Sequence, residues 1–261
     1  MSENTNSIEG QETYDLNLLD HSLRKWDNSP GLRFVYESIY RRVASAMPNG
    51  PILELGSGIG KARYFIPNLI TSDIRKTPYV DRAEDCYSIS LYPDKGGWAG
   101  LFALDVLHHL RFPMRFFERA GKVLRPGGKL ILEEPAATAG GRLFYKLFHP
   151  EPMVVAAIQP PFIFEESGES EDFANMGMGV GLFIRHREMI EGPLESFGLS
   201  LIQVSFSDFL AYPLTGGYSK PQMFPTSGLK ALLALEGALP QWVHRTVGLR
   251  MQIVIEKKRR E

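Results

Sequence analysis

Cysteine is nearly absent from this sequence: Cys86 is the only one in 261 residues. A single thiol excludes an intramolecular disulfide, and it excludes metal sites built from several cysteines. Such scarcity is typical of proteins of a reducing compartment. We therefore expect a fold that is stabilised by an apolar core rather than by covalent crosslinks.

Long apolar runs are also missing. No stretch approaches the roughly 18 uninterrupted apolar residues that a membrane-spanning helix needs, so none is predicted. The first residues, MSENTNSIEGQETYD, are polar and acidic and lack the apolar segment of a signal peptide. Together with the cysteine content, these features predict a cytoplasmic protein.

Neither sign of charge is in excess, since 29 basic residues face 30 acidic ones and the net charge is −1. Nucleic-acid partners usually require a basic surface, so none is expected. The basic run 257–260 is interpreted as a solvated terminus. The nearly equal numbers of acidic and basic residues favour a small-molecule substrate and are also compatible with an uncharged peptide. They leave the oligomeric state open.

The most informative segment is PILELGSGIG at 51–60, an apolar strand that runs into a glycine-rich turn. Asp73 ends the next apolar run. A strand, a glycine turn and an acid at the next strand end are typical of a nucleoside site. Glycines let the backbone approach a ligand, and a helix after the turn is expected to offer N–H groups to an anionic end. The acid is expected to accept hydrogen bonds from a ribose diol.

Glycine spacing separates the nucleoside classes. A dinucleotide fingerprint requires glycine where this chain has Lys61. A phosphate-binding loop requires glycine and a hydroxyl residue where it has Leu55 and Ala62. Neither motif fits.

The pattern Glu54-x-Gly56-x-Gly58-x-Gly60 instead resembles the first motif of the class I S-adenosylmethionine-dependent methyltransferases. The resemblance continues in order over roughly residues 30–135. Further segments that match are Asp73, Glu84-Asp85-Cys86, LFALDVLHHL at 101–110 and LRPGGKLILEEP at 124–135. It implies an α/β, Rossmann-like, doubly wound sheet of seven strands, six parallel and one antiparallel, with the last strand between the fifth and sixth.

The resemblance also implies S-adenosylmethionine as cofactor, with S-adenosylhomocysteine as product. The residues that it assigns to the cofactor site are Glu54, Gly56, Ser57, Gly58, Gly60, Asp73, Asp85, Cys86 and Asp105. Glu54 would support the loop and the ammonium group, and Asp105 follows the strand toward which the methyl group would point.

Asp85 and Cys86 are the candidates for adenine binding. The carboxylate suits the adenine amino group and the Cys86 N–H suits a ring nitrogen, but Asp81 and Glu84 are alternative acids. A nucleophilic role for Cys86 is disfavoured, because methyl transfer needs no covalent intermediate. A small buried side chain is the simpler interpretation.

Three histidines are candidates for catalysis. His108 and His109 follow the fourth predicted strand, and either would suit a general base for a hydroxyl, phenol or amine acceptor. The alternative for this pair is packing or helix capping. His149 with Glu151 is a second possible acid/base pair, or else part of a lid. No metal is expected, since no carboxylate and histidine residues show ligand spacing.

The chain is interpreted as one domain, 1–261, with a helical N-terminal segment at 1–48 whose first 14 residues are either frayed or loosely docked. Strands are predicted at 51–55, 68–73, 79–85, 100–105, 129–134, 199–207 and 251–256, and helices at 32–47, 113–124, 139–148, 185–197 and 227–238. Segments 136–182, including an acidic loop at 165–172, and 210–249 are predicted to be lid insertions near the substrate.

The aromatic residues of these insertions are Phe144, Tyr145, Phe162, Phe164, Tyr212 and Tyr218. They form either the core of the lid or the wall of a pocket for a small, largely apolar or aromatic acceptor. Trp26, Arg33 and Tyr36 are expected to close over the cofactor, by analogy with the resembling family.

Methyl transfer is the function that this pattern favours. Alternatives are a methyltransferase fold with different chemistry, a nicotinamide-dependent oxidoreductase, and a non-enzymatic interaction protein.

Overall fold

The computed structural model describes residues 3–92, 96–164 and 173–259. Its strands are β1 (Ile52–Leu55), β2 (Leu69–Asp73), β3 (Arg82–Ala83), β4 (Trp98–Leu104), β5 (Leu124–Pro135), β6 (Leu199–Ser207) and β7 (Arg250–Lys257). Its helices are α1 (Glu3–Asn28), α2 (Pro30–Ala46), α3 (Pro113–Val123), α4 (Ala139–Phe148), α5 (Met178–Val180), α6 (Arg187–Ser196), α7 (Ala211–Leu214), α8 (Thr226–Gly237) and α9 (Gln241–Val247).

The strands form one sheet in the order β3-β2-β1-β4-β5-β7-β6. β7 runs antiparallel to both of its neighbours, and the other pairings are parallel. The predicted sheet of six parallel strands and one antiparallel strand is therefore confirmed. In parallel sheets of this kind, the carboxyl ends of the strands form the edge at which ligands bind.

The central strands are buried on both faces, as expected for a sheet covered by helices. In β1, Leu53 and Leu55 pack on the side of α3, where Phe116 is fully buried. Ile52 faces the opposite side and packs with Val43 of α2. The predicted spacing of apolar residues in α2 is confirmed, because Leu32, Val35, Ile39 and Val43 are all fully buried.

At the N-terminus the structure shows the predicted helical segment and corrects the alternative of fraying. Residues 3–28 form one helix rather than a frayed segment, and Ser29 in extended geometry followed by Pro30 separates it from α2. Proline at the first helical position sacrifices no hydrogen bond, so it starts the second helix without cost. The acidic loop predicted at 165–172 lies outside the described residues.

The helix expected directly after the glycine turn is also absent from this described part of the chain. A 3₁₀ turn, Lys61–Tyr64, stands there instead. Pro67 leaves few residues before β2, and a residue that precedes proline is biased away from helical geometry. The turn therefore offers no α-helix N-terminus to an anion, in contrast to the expectation.

β3 is shorter than the predicted 79–85. The carboxylate of Asp81 turns back to accept hydrogen bonds from the N–H and hydroxyl of Thr71, both at 2.9 Å. The N–H of Asp81 also donates to the carbonyl of Thr71 at 3.0 Å, but only Arg82 and Ala83 are paired with β2 as strand residues.

Candidate functional site

The glycine turn adopts the left-handed backbone that its composition predicts. Gly56, Gly58 and Gly60 have φ angles of 66°, 52° and 62°. A Cβ on Gly60 would lie 2.3 Å from the carbonyl oxygen of Tyr79, whereas at Gly58 the nearest atom, a Leu19 methyl, would be 3.8 Å away. Gly60 is therefore required by packing, while the space beside Gly58 remains open on the ligand side of the turn.

Asp73 is bound to this turn. One carboxylate oxygen accepts the N–H of Gly58 at 2.9 Å, and the other accepts the N–H of Ile74 at 2.8 Å. The N–H of Ser57 donates to the carbonyl of Ser72, at 2.8 Å. The ends of β1 and β2 are thus held together, and each carboxylate oxygen still has acceptor capacity for a further donor.

Glu54 is a buried carboxyl group beside the turn. Its side chain carries an oxygen, Oε2, that is shielded from solvent and has no hydrogen-bond partner. Burial raises the pKa of this group to about 8, although the hydrogen bond with Ser57 and the charge of Arg63 oppose the rise. A cationic group placed here would restore the carboxylate.

The three acids considered for the adenine position differ in their contacts. The carboxylate of Asp81 accepts hydrogen bonds from Thr71. Glu84 accepts the N–H of Ser90 at 2.9 Å and forms an ion pair with Arg82. Asp85 uses one oxygen to accept the N–H of Tyr87, at 2.8 Å. Asp85 is consequently the acid whose second oxygen is left for a ligand.

Cys86 is half-buried next to Asp85. Burial, followed by the nearby charges of Asp85 and Asp73, raises the pKa of its thiol to about 12. The thiol is protonated at neutral pH, and a protonated thiol is a poor nucleophile.

A cavity of about 620 Å³ extends from the glycine turn into the segments predicted as lids. One side is formed by Glu54, Gly56, Ser57, Gly58 and Asp105. The rest of the lining includes seven aromatic side chains, which together form an aromatic wall: Tyr36, Tyr40, Phe144, Tyr145, Phe148, Tyr212 and Tyr218. Such a volume suits a small ligand held against apolar surface.

The predicted aromatic residues divide between wall and core. Phe144, Tyr145, Tyr212 and Tyr218 line the cavity. Phe162 instead packs edge-on to His186, and Phe164 stacks on Phe173, so both belong to the core of the insertion.

Four buried phenols of the wall are neutral. Burial raises the pKa of Tyr36, Tyr40, Tyr145 and Tyr218 above the ordinary value. Tyrosinate is therefore not available as a base, and these side chains present an apolar ring with a hydroxyl at its end.

The expectations for the N-terminal segment hold only in part. Tyr36 reaches the cavity, as do Leu19 and Ser22 of α1. Arg33 instead donates to the carbonyl oxygens of Trp26 and Asp27, at 3.1 and 2.6 Å. Its role is to hold the bend between α1 and α2.

Asp105 lies at the carboxyl end of β4 with a φ of 57°, and its side chain reaches the cavity. Both of its oxygens accept hydrogen bonds from Arg250, at 2.7 and 2.8 Å. Burial would raise the pKa of Asp105, but the charge and hydrogen bonds of Arg250 outweigh it and hold the pKa below its usual range. Asp105 is therefore a carboxylate.

His108 is buried and does not line the cavity. Its Nδ1–H donates to Glu134 at 2.7 Å, and its Nε2 lies 3.4 Å from Glu151. Burial would lower its pKa, but the two carboxylates raise it to about 10. An imidazole that is already protonated cannot accept a proton from a substrate.

His109 and His149 are both exposed. The Nδ1–H of His109 donates to the carbonyl of Phe173 at 3.2 Å, and this histidine also lies outside the cavity wall. His149, at the end of α4, is part of that wall. Among the three histidines predicted from the sequence, His149 is the one placed to contact a bound molecule.

Sequence reasoning missed Arg250 and Glu134. Arg250 is fully buried at the start of β7, between the rings of Tyr36 and Tyr212. Glu134 accepts the N–H groups of Val106 and Leu107, at 3.0 and 2.8 Å, as well as the ring of His108. The available signal in both cases was a charged residue at the end of an apolar run, since Glu134 follows LILE and Arg250 directly precedes the predicted last strand at 251–256.

Comparison with known proteins gives similarity in structure alone. No family model matches the chain, and no curated protein matches it. A methyltransferase from Archaeoglobus fulgidus, described as S-adenosylmethionine-dependent, is 14% identical with a TM-score of 0.48, covering 89% of this chain and 97% of that one.

Two further structures show the range of the similarity. The N-methyltransferase NodS from Bradyrhizobium japonicum, in complex with S-adenosylhomocysteine, is 11% identical with a TM-score of 0.43, covering 89% of this chain and 90% of that one. The [4+2]-cyclase SpnF is 14% identical with a TM-score of 0.44, covering 87% and 81%. Identities of this size do not specify an activity.

Among the described residues, no helix is both long and apolar enough to cross a membrane.

The strand order, the antiparallel β7 between β5 and β6, and the glycine turn after β1 together constitute the fold of the class I S-adenosylmethionine-dependent methyltransferases, as the sequence resemblance implied.

Proposed function

We propose that this protein transfers the methyl group of S-adenosylmethionine to a small, largely apolar or aromatic acceptor. The observation that carries the proposal is the single cavity that joins the glycine turn and Glu54 to an aromatic wall. The lining combines polar groups that an amino acid with a nucleoside requires with aromatic rings that suit a flat apolar molecule.

The residues in and around the glycine turn fit the cofactor. The unpartnered Glu54 oxygen is an acceptor for an ammonium group, and the open side of Gly58 leaves room for a ligand. Asp73 would accept from the ribose hydroxyls, while Asp85 and the Cys86 N–H would bind adenine. Gly56, Ser57, Gly60 and Asp105 complete the site. When bound, the cofactor supplies an electrophilic methyl group on a sulfonium.

Positioning is the main contribution that the chain makes to such a reaction. An in-line displacement is accelerated most by holding the nucleophile about 3–3.5 Å from the reacting carbon. The aromatic wall would align a flat acceptor and exclude water, and neutral tyrosines would do so without competing as nucleophiles. Segments 136–182 and 210–249 both contribute to this wall, in accordance with a lid role.

His149 is the proposed general base for an acceptor that must lose a proton. It lies in the cavity wall, whereas Glu54 is assigned to the ammonium group of the cofactor and Asp105 is engaged by Arg250. His108 and His109 are proposed as positioning residues, since neither reaches the cavity.

The first test compares ligands by isothermal titration calorimetry. S-adenosylhomocysteine should bind, and the Gly58→Ala and Glu54→Gln variants should bind it more weakly. Binding of a nicotinamide dinucleotide with none of S-adenosylhomocysteine would contradict the proposal and favour an oxidoreductase.

The second test follows the methyl group. The protein is incubated with methyl-labelled S-adenosylmethionine and a desalted cell lysate supplemented with a small-molecule extract. Label in an extractable small molecule supports the proposal. Label in protein or nucleic acid would overturn the acceptor class, and bound S-adenosylhomocysteine with no label in any fraction would favour a fold used for other chemistry.

A further inference from the structure

Three potential metal ligands meet beside the cavity, although their spacing in the sequence gives no sign of it. One ligating atom from each of His108, His109 and Glu151 lies within 4.8 Å of the other two. The histidines follow β4, and Glu151 comes from the segment after α4. The expectation of no metal rested on linear spacing, which does not detect a cluster of this kind.

The separation of His108 and Glu151 suits two ligands of one ion. Their nearest atoms, Nε2 and Oε2, are 3.4 Å apart. A charge-assisted hydrogen bond between these groups would be about 2.7–2.9 Å long. Two ligands at about 2.1 Å from a tetrahedral ion are instead about 3.4 Å from each other. The observed distance therefore suits joint coordination of one ion by both groups.

Each histidine is already oriented through its other nitrogen. The Nδ1–H of His108 donates to Glu134 at 2.7 Å, and that of His109 donates to the Phe173 carbonyl at 3.2 Å. Histidines that bind metals through Nε2 typically donate Nδ1–H to a carboxylate or a carbonyl in this way. A bound ion would replace the proton that otherwise resides on Nε2 of His108.

Asn175 connects the two segments that carry the cluster. Its N–H donates to the His108 carbonyl at 2.9 Å, and its side-chain amide exchanges hydrogen bonds with both backbone groups of Val154, at 2.9 and 3.1 Å. Asn175 is itself buried. Hydrogen bonds of a buried side chain therefore fix the backbone segments that carry the ligands. Surface side chains that lie close together by chance would lack such support.

We infer that His108, His109 and Glu151 form a site for one divalent transition-metal ion of the zinc type. Two imidazoles and one carboxylate suit zinc and its neighbours in the first transition row, while Mg²⁺ and Ca²⁺ prefer sites made of oxygen alone. Three protein ligands leave the fourth position to water. Because the ligands lie outside the cavity wall, the ion would fasten the segment that carries His149 to the end of β4.

Zinc titration by calorimetry tests this inference after the purified protein has been treated with a chelator. We expect one Zn²⁺ per chain, and visible absorption typical of tetrahedral coordination when Co²⁺ replaces zinc. The His109→Ala and Glu151→Gln variants should each lose at least tenfold in zinc affinity, and Glu134→Gln should lose about 10–100-fold through misorientation of His108.

His109 is exposed, so its removal does not threaten folding, and far-UV circular dichroism checks each variant. The matched control is His21→Ala, which removes another exposed histidine, on α1. Absence of stoichiometric binding, or a His109→Ala variant that binds zinc as His21→Ala does, would overturn the inference and leave His108 as an imidazolium between two carboxylates.

Hydrogen exchange gives a second measurement. Zinc should slow amide exchange in residues 151–157 of the wild type and should not do so in His109→Ala. Equal exchange with and without zinc in the wild type would contradict the fastening role. Neither experiment depends on methyl transfer, so the site can be established even if the proposed function fails.

Discussion

Arg250 and Asp105 form a bidentate ion pair between the start of β7 and the end of β4, with both N–O distances at or below 2.8 Å. The arginine is buried, while about a third of the Asp105 side chain is exposed toward the cavity. Tyr212 and Tyr36 place their ring centroids 5.0 and 5.9 Å from the guanidinium carbon. The pair therefore joins the antiparallel strand to the aromatic wall.

Asp105→Asn is expected to destabilise the fold by about 3–5 kcal/mol, because it leaves the buried guanidinium without a counter-charge. Asparagine keeps the size of the side chain and tolerates the left-handed backbone at this position. Urea denaturation monitored by circular dichroism measures the free energy of unfolding.

The matched control is Glu195→Gln, which removes an ion pair of 3.1 Å with Lys258 in which both side chains are largely exposed. Exposed pairs contribute at most about 1 kcal/mol. A loss in Asp105→Asn no larger than that of the control would contradict the structural role of the buried pair.

This ion pair is an example of a contact that could not be predicted from the sequence. The sheet was predictable because each strand carries its own signal: an apolar run, a following turn and the motif order. Arg250 and Asp105 are 145 residues apart, and nothing near either residue indicates the partner. The cluster of His108 with Glu151 escaped prediction for the same reason.

Sequence patterns also favoured the wrong local structure at two places. The glycine turn favoured a following α-helix, but Pro67 confines the chain to a 3₁₀ turn. The polar N-terminal residues favoured fraying, although helix α1 begins at Glu3. The glycine turn and the acids at the strand ends were predictable because they belong to short motifs, whereas the cavity wall depends on how two insertions pack.

Alanine at Gly58 should mainly weaken ligand binding, whereas alanine at Gly60 should mainly lower the stability of the fold. A methyl group at Gly58 meets only a Leu19 methyl at 3.8 Å, so the cost is the left-handed backbone, on the order of 1 kcal/mol. The same change at Gly60 places Cβ 2.3 Å from the Tyr79 carbonyl and should destabilise the fold considerably more.

Thermal unfolding and calorimetry with S-adenosylhomocysteine measure the two effects. Gly58→Ala should lower affinity for S-adenosylhomocysteine while remaining folded. Should Gly60→Ala prove as stable as Gly58→Ala, the close approach of the turn to Tyr79 would be refuted.

Glu54 should make cofactor affinity depend on pH. In the folded chain its pKa is about 8, whereas its ordinary value is 4.5. Its protonation therefore contributes stability that is fully present below pH 4.5 and is lost as the pH rises through about 8. An ammonium group beside Glu54 favours the carboxylate, so ligand binding releases the proton.

Affinity for S-adenosylhomocysteine is consequently expected to rise between pH 6 and 8, by at most about tenfold per pH unit, and then to level off. Calorimetry across this range measures the slope. Glu54→Gln, which has no proton to release, should bind weakly with little dependence on pH. An identical slope in this variant would assign the effect to another group.

His149→Ala should lower turnover of the acceptor found by label transfer by about 10²–10⁴-fold, the usual loss when a general base is removed. Affinity for S-adenosylhomocysteine should stay unchanged, because His149 belongs to the lid side of the cavity. Lys146→Ala, an exposed change on the same helix α4, is the control for disturbance of the helix. Added imidazole should restore part of the turnover, since a free base can enter the space that the side chain leaves. Turnover equal to that of Lys146→Ala would mean that the acceptor reacts without a base at this position, as an unprotonated amine does.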